Sequence, residues 1–332
     1  MARARRRLDT GEALAAALLL PVRGPRTRTT PAGRPTAPPD PGARWRRLPV
    51  EPRGSSQIGV CFRGERAESL GLEPRAALLR LLRYPFDLVQ LTACWHRMEP
   101  EPLSFTGADL DWQLDAAARA GKRVVLSVGG VTSGGGTAGG APAHVLTRAL
   151  PQGRLLRAER RRRLLDASMA FSARVVRQYR AHPAVAAWQV EWAPPDPLGL
   201  EARWRSAADF ARQEAEAVRR ADPDRPVLLA GPARQTRRPW RRPGPPAADQ
   251  RATALVGIGP GHPSPAAPWS GAWRPAERPA ERLLRAYNQT LRRHAPATPR
   301  GYLFRDAESW VLRARAGDPE CLEAFAWVLA NP

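Results

Sequence analysis

Lysine is nearly absent. Lys122 stands alone among 53 basic residues, so the formal charge of +22 is an arginine surplus over 31 acidic residues. A surplus of that size raises nucleic acid or other polyanions as partners held by non-specific charge. The same chain carries 36 prolines and 27 glycines, so the arginines read as compositional bias as much as a binding surface. Cysteine is scarce too: Cys61, Cys94 and Cys321 lie far apart with no CxxC pair, which argues against a zinc knuckle or a disulfide framework. The five histidines show no HExxH spacing, so neither a metal nor another cofactor is expected. No apolar run approaches the roughly 18 residues of a membrane span.

What is present is enough apolar material for a large core: 332 residues, 43% of them hydrophobic, sufficient for one large α/β domain. Residues 1–24 begin ARARRR and continue into a short apolar stretch ending at Pro21. That is the order of a secretory signal, but Asp9 and Glu12 interrupt it and no A-x-A site follows. Cytoplasmic and secreted locations both stay open. Residues 25–54, rich in proline and arginine without periodicity, are expected to be a disordered linker.

From residue 55 short apolar runs alternate with helical patterns, the signature of βα units on a parallel sheet. The runs 58–62, 86–91, 123–128, 185–190, 226–230, 254–258 and 301–304 read as strands. Helices are expected at 74–82, 109–121, 157–180, 201–220, 282–294 and 319–329. In the second of these Leu110, Leu114 and Ala117 share a face and Gly121 closes it. The glycine-rich stretch 129–140 follows a strand but lacks both GxxxxGK[ST] and GxGxxG, so it is read as a rim loop. The fold class is α/β, a (β/α)8 TIM barrel over 55–332. Its seventh strand is expected to be irregular or missing, because no strand run falls between 258 and 282.

Three stretches carry a resemblance: FDLVQLTACWHRMEPEPLSFTGADLDWQLDAAARAGKRVVLSVG, YRAHPAVAAWQVEWAPPDPLG and GYLFRDAESWVLRARAGDPECLEAF. In order and wording they resemble the second to fourth and the last βα units of clan A glycoside hydrolases of the family 5 and family 42 type, cellulases and β-galactosidases. The resemblance implies a barrel whose chemistry rests on two glutamates. One is an acid/base after the asparagine of an Asn-Glu-Pro at the fourth strand; the other is a nucleophile ending the seventh.

Setting WQVEWAP on that pattern puts Trp192 at the asparagine and Ala193 at the acid/base glutamate. Setting HPSPAAPW on the seventh-strand pattern puts Pro263 at the nucleophile. Gln90 takes the place of a second-strand arginine, and Arg305 that of an eighth-strand tryptophan. Alanine and proline can neither protonate a leaving group nor attack carbon. The resemblance therefore implies a catalytically impaired glycosidase-like protein, a pseudoenzyme, that retains carbohydrate binding. Its implied substrate-binding residues are Gln90, Trp95, His96, Trp188, Trp192 and Trp269, the indoles offering faces for sugar stacking.

Two alternatives stand beside this. The first is an active glycosidase using displaced carboxylates, with Glu191 or Asp196 as acid/base and Glu308 as partner. Against that alternative, Glu191 is read as an internal carboxylate paired with an arginine, and the resemblance makes Glu99 part of a structural corner. The second is a polyanion binder using the arginines of 157–163 and 234–242. The sugar and the oligomeric state are not legible.

Overall fold

The computed structural model describes residues 44–129, 141–146, 155–156, 159–191, 205–206, 208–230, 255–258, 278–293 and 301–331. The chain divides into Met1–Pro41, none of it among the described residues, and Gly42–Pro332. The signal-like segment and the glycine-rich loop beyond Gly129 therefore lie outside them. So do the arginine loop around Trp240 and the rim residues Trp192, Ala193, Asp196, Pro263 and Trp269.

Each of the seven predicted strands is present within two residues of its expected bounds. They are β1 (Gln57–Cys61), β2 (Leu88–Thr92), β3 (Arg123–Ser127), β5 (Val185–Glu191), β7 (Val227–Ala230), β8 (Leu255–Ile258) and β9 (Gly301–Phe304). All pair in parallel, in the order β7-β5-β3-β2-β1-β9-β8. Strands buried on both faces read as continuous apolar runs, which is why they were legible. The two-residue strands β4 (Leu155–Leu156) and β6 (Arg205–Ser206) form a separate parallel pair.

The sheet curls until its edge strands β7 and β8 come within 8 Å, Cα to Cα. That is less than about 9.5 Å, two strand spacings, so at those residues the seam has no room for a further stave. The result is a (β/α) barrel of the TIM type with seven described staves. The expected interruption between 258 and 282 falls on residues 259–277, which lie outside the described residues. Leu255–Ile258 bonds directly to β9, with Leu255 opposite Gly301, and the seam falls between Ala230 and Leu255.

Helices coat the outside: α1 (Gly64–Ser69), α2 (Pro74–Leu82), α3 (Trp95–Met98), α4 (Ala108–Arg119), α5 (Arg162–Tyr179), α6 (Ala208–Ala221), α7 (Pro279–Arg293), α8 (Ala307–Arg315) and α9 (Glu320–Ala330). Their starts follow capping chemistry. The Glu73 carboxylate accepts from the Arg75 and Ala76 amides, and Pro74 opens α2 with its ring where no amide is needed. Helix α4 buries Leu110, Leu114 and Ala117 and ends before Gly121 at φ 66°, as the pattern predicts.

Two helices start later than expected. The segment 159–161 is a 3-10 turn ahead of α5, where no side chain caps the helix and an arginine run opposes the macrodipole. Helix α6 begins at Ala208 because residues 205–206 are taken by the pairing with β4.

The linker expectation is also corrected at its carboxyl end. Within 44–54, Trp45 is 2% exposed in the main core, and Leu48 and Val50 pack against it. The Glu51 amide donates to Asn288 Oδ1, and Tyr287 Oη donates to the Glu51 carbonyl. Composition alone concealed this, since one tryptophan and a few backbone groups carry the attachment. Among the described residues no helix is long and apolar enough to cross a membrane.

Candidate functional site

Parallel strands bring all their carboxyl ends to one rim, and the barrel's interior side chains rise toward it. A register shift between Val124 and Val125 re-phases β5 against β3: Val185 faces Val124, and Ala187 then faces Val125. The lower interior layer is apolar, a small cluster of Val125, Ala187 and Leu228 with Leu255 against it. It is separate from the main core between sheet and helices.

One step nearer the rim the same face turns polar. Cys61 Sγ donates to Gln90 Oε1 at 2.8 Å, and Gln90 Nε2 donates to Ser127 Oγ at 2.8 Å. Ser127 lies opposite Gln189 across the β3–β5 ladder. Gln189 is 3% exposed, and its Oε1 has no hydrogen-bond partner. Gln90, the residue standing where an arginine was expected, is thus a buried member of an uncharged interior network. Sequence reasoning passed over Ser127 and Gln189. The signal was there: LVQLT, RVVLS and VAAWQVE carry Gln90, Ser127 and Gln189 toward the carboxyl ends of their apolar runs.

Around the rim, Trp95 opens α3 and is 1% exposed. Its ring stacks on Phe171 at 5.3 Å, and its Nε1 donates to Glu99 Oε2 at 3.0 Å. Trp188 is wholly buried, with Nε1 donating to Asp222 Oδ2 at 2.9 Å. Neither indole presents a free face, so the expectation that they stack on sugar is corrected: both rings are spent on packing between sheet and helices. Trp192 and Trp269 lie outside the described residues. His96 is accessible, and its Nε2 pairs with Glu65 Oε1 at 2.7 Å. That hydrogen bond holds the Glu65 carboxyl below its ordinary value. Burial instead pushes the Cys94 thiol up to about 12, which leaves it inert at neutral pH.

Of the fallback carboxylates, Glu191 is the last residue of β5, opposite Ala230, and Asp196 is outside the described residues. Glu308, the second residue of α8, is 1% exposed, and its Oε1 accepts from the Arg63 amide at 2.5 Å. It fastens the loop after β1 to the turn after β9, beside the Arg66–Asp306 pair at 3.3 Å. Burial pushes its carboxyl above the ordinary 4.5, against the opposing backbone bonds and the Arg63 charge. Glu99 bridges Trp95 to His144 Nε2, 3.9 Å from its other oxygen, which fits a structural corner.

A raised carboxyl binds its proton more tightly in the folded state. Its stabilising contribution is complete below pH 4.5 and is lost as pH rises through the folded value. Glu308→Gln keeps the Oε1 acceptor and removes this titration. Melting temperature followed from pH 4 to 7 is therefore expected to fall less with rising pH in the variant than in the native protein, and parallel curves would contradict the assignment.

Among the described residues no group of three His, Cys, Asp or Glu side chains could hold a metal ion. What this arrangement can do chemically is accept and orient neutral hydrogen-bonding groups inside the barrel.

No family model matches the chain, and no curated protein does. Solved structures do. An exo-β-1,4-mannosidase from Opitutaceae bacterium strain TAV5 aligns with TM-score 0.47 at 15% identity, over 77% of this chain and 54% of that one. A family 5 subfamily 18 protein from Streptomyces cattleya, solved with GlcNAc, aligns with TM-score 0.37 at 16% identity, over 55% and 45%. Xylanase 10B from Thermotoga maritima aligns with TM-score 0.38 at 13% identity, over 54% and 51%. The chain spans about half the length of these proteins.

Proposed function

We propose that this protein is a glycosidase-like barrel that binds carbohydrate at the carboxyl-end rim of its strands and does not hydrolyse it. The observation that carries the reading is the identity of Ala193. It stands two residues beyond Glu191, where β5 ends at the rim, and there the resembling enzymes hold their proton donor. Pro263, which the resemblance sets at the nucleophile, follows the end of β8 at Ile258 in the chain. A retaining glycosidase needs two carboxyl groups about 5–5.5 Å apart, and neither residue supplies one.

The displaced-carboxylate alternative is weakened by Glu308, whose Oε1 is engaged by the Arg63 amide and whose side chain is closed from solvent. General acid/base catalysis is worth about 10²–10⁴-fold, and a missing nucleophile removes the covalent route besides. Purified protein is expected to leave aryl β-glycosides and β-linked glucans intact while being retarded by soluble glucan in affinity electrophoresis. Hydrolysis that disappears in Glu191→Gln would overturn the reading in favour of an active enzyme.

A further inference from the structure

The interior rung formed by Ser127 and Gln189 is incomplete in a specific way. The two residues face each other across adjacent parallel strands, whose backbones lie about 4.7–4.9 Å apart. Gln189 Oε1 is a buried acceptor without a donor. Ser127 is fully buried, and its Oγ already accepts from Gln90 Nε2. Its own O–H proton has no acceptor among the described residues. Gln90 is fixed from the other side by Cys61, so its amide is held with the NH₂ toward Ser127.

One idle acceptor and one idle donor on the same rung complement a group that both donates and accepts. We propose that this rung is a binding site for a neutral hydroxyl, which donates to Gln189 Oε1 and accepts from the Ser127 hydroxyl. An anion would meet the lone pairs of Gln189, and a cation would find no charge in the Cys61, Gln90, Ser127 and Gln189 set. Leaving a buried amide oxygen unmet is costly, so such a site is filled when a fitting group is at hand. The hydroxyl comes from one of two sources: an internal water, or a hydroxyl of a saccharide entering from the rim. The second source rests on the carbohydrate reading above; the first does not.

The experiment uses Gln189→Met, Ser127→Ala and the double variant in the full chain. Each is subjected to thermal melting and to calorimetric titration with glucose, mannose, xylose and cellobiose. If a saccharide hydroxyl fills the rung, each single variant weakens binding about 10-fold, and the ligand-free Gln189→Met protein melts higher because its orphan acceptor is gone. If water fills it, both single variants melt lower without sugar, and the double variant loses less than the sum of the two, since a shared guest couples residues that do not bond directly. Strictly additive melting changes together with unchanged saccharide affinity would overturn the site. Should Gln189→Met fail to fold, Ser127→Ala carries the affinity arm alone, and its unchanged affinity and melting would overturn the site equally. A native protein that binds none of these sugars yet shows the water pattern would count against the carbohydrate reading while sustaining this one.

Discussion

Asp222→Ala is expected to lower the stability of the barrel by about 3 kcal/mol, the range for breaking a buried hydrogen-bonded charge. Asp222 follows α6 and is 2% exposed. Its Oδ2 accepts from Trp188 Nε1 at 2.9 Å and from Arg225 Nη1 at 3.0 Å, and its Oδ1 accepts from the Asp224 amide at 3.2 Å. Arg225 in turn donates through Nε to the Val185 carbonyl at 2.9 Å. One carboxylate therefore joins the helix α6 exit, the turn before β7 and, directly and through Arg225, the middle and start of β5. Alanine would strand the Trp188 indole donor in the core. Asp222→Asn keeps an oxygen for Trp188 and is expected to lose less, so urea midpoints of the two variants separate the indole bond from the charge.

The pH dependence has the opposite sign to that of Glu308. Burial works against the Asp222 charge, yet the bonds from Trp188, Arg225 and the Asp224 amide outweigh it and hold the carboxyl below the ordinary 3.8. Its contribution is therefore whole above pH 3.8 and is lost as pH falls through the depressed folded value. Native stability measured from pH 5 downward is expected to fall more steeply than that of Asp222→Ala in this acid range.

The staves of this barrel were legible because a strand buried on both faces is mostly apolar, as in residues 124–126 of β3 and 185–188 of β5. Spatial order was less legible. Nothing in LVGI says that it lies beside GYLF; the direct pairing of Leu255 with Gly301 placed the seam before β8 instead of after it. Polar residues misled in two directions. Trp95 and Trp188 sit next to the rim in sequence, yet an indole can spend its nitrogen inward, and both do, on Glu99 and Asp222. Gln189, in turn, reads as one more residue of a buried strand. Its place on the interior face depends on the irregularity at Val124 and Val125, which no periodicity announces. The residues that the resemblance sets at the two glutamate positions, Ala193 and Pro263, lie outside the described residues, so that reading rests on the letters alone.

Trp45→Ala is expected to cost about 3–5 kcal/mol, the range for truncating a buried tryptophan. The segment before β1 looks dispensable by composition, but Trp45 is buried in the main core, and the chain after it is bound to two helices. On α7, Asn288 takes the Glu51 amide and donates to the Pro49 carbonyl, Tyr287 donates to the Glu51 carbonyl, and Arg292 pairs with the Glu51 carboxylate at 2.6 Å. On α9, Arg46 reaches Glu323 at 3.2 Å, and Arg53 donates to the Val328 carbonyl near the helix end, also at 3.2 Å. The exposed ion pairs contribute little, so the stability of this strap rests on the indole and the buried backbone bonds. Trp45 Nε1 is itself buried without a partner, and phenylalanine removes that orphan donor while keeping most of the ring. Trp45→Phe should therefore cost about 1 kcal/mol or less. Denaturant unfolding of the two variants decides the matter: equal losses would mean that the indole nitrogen, and not the buried ring, ties the strap to the barrel.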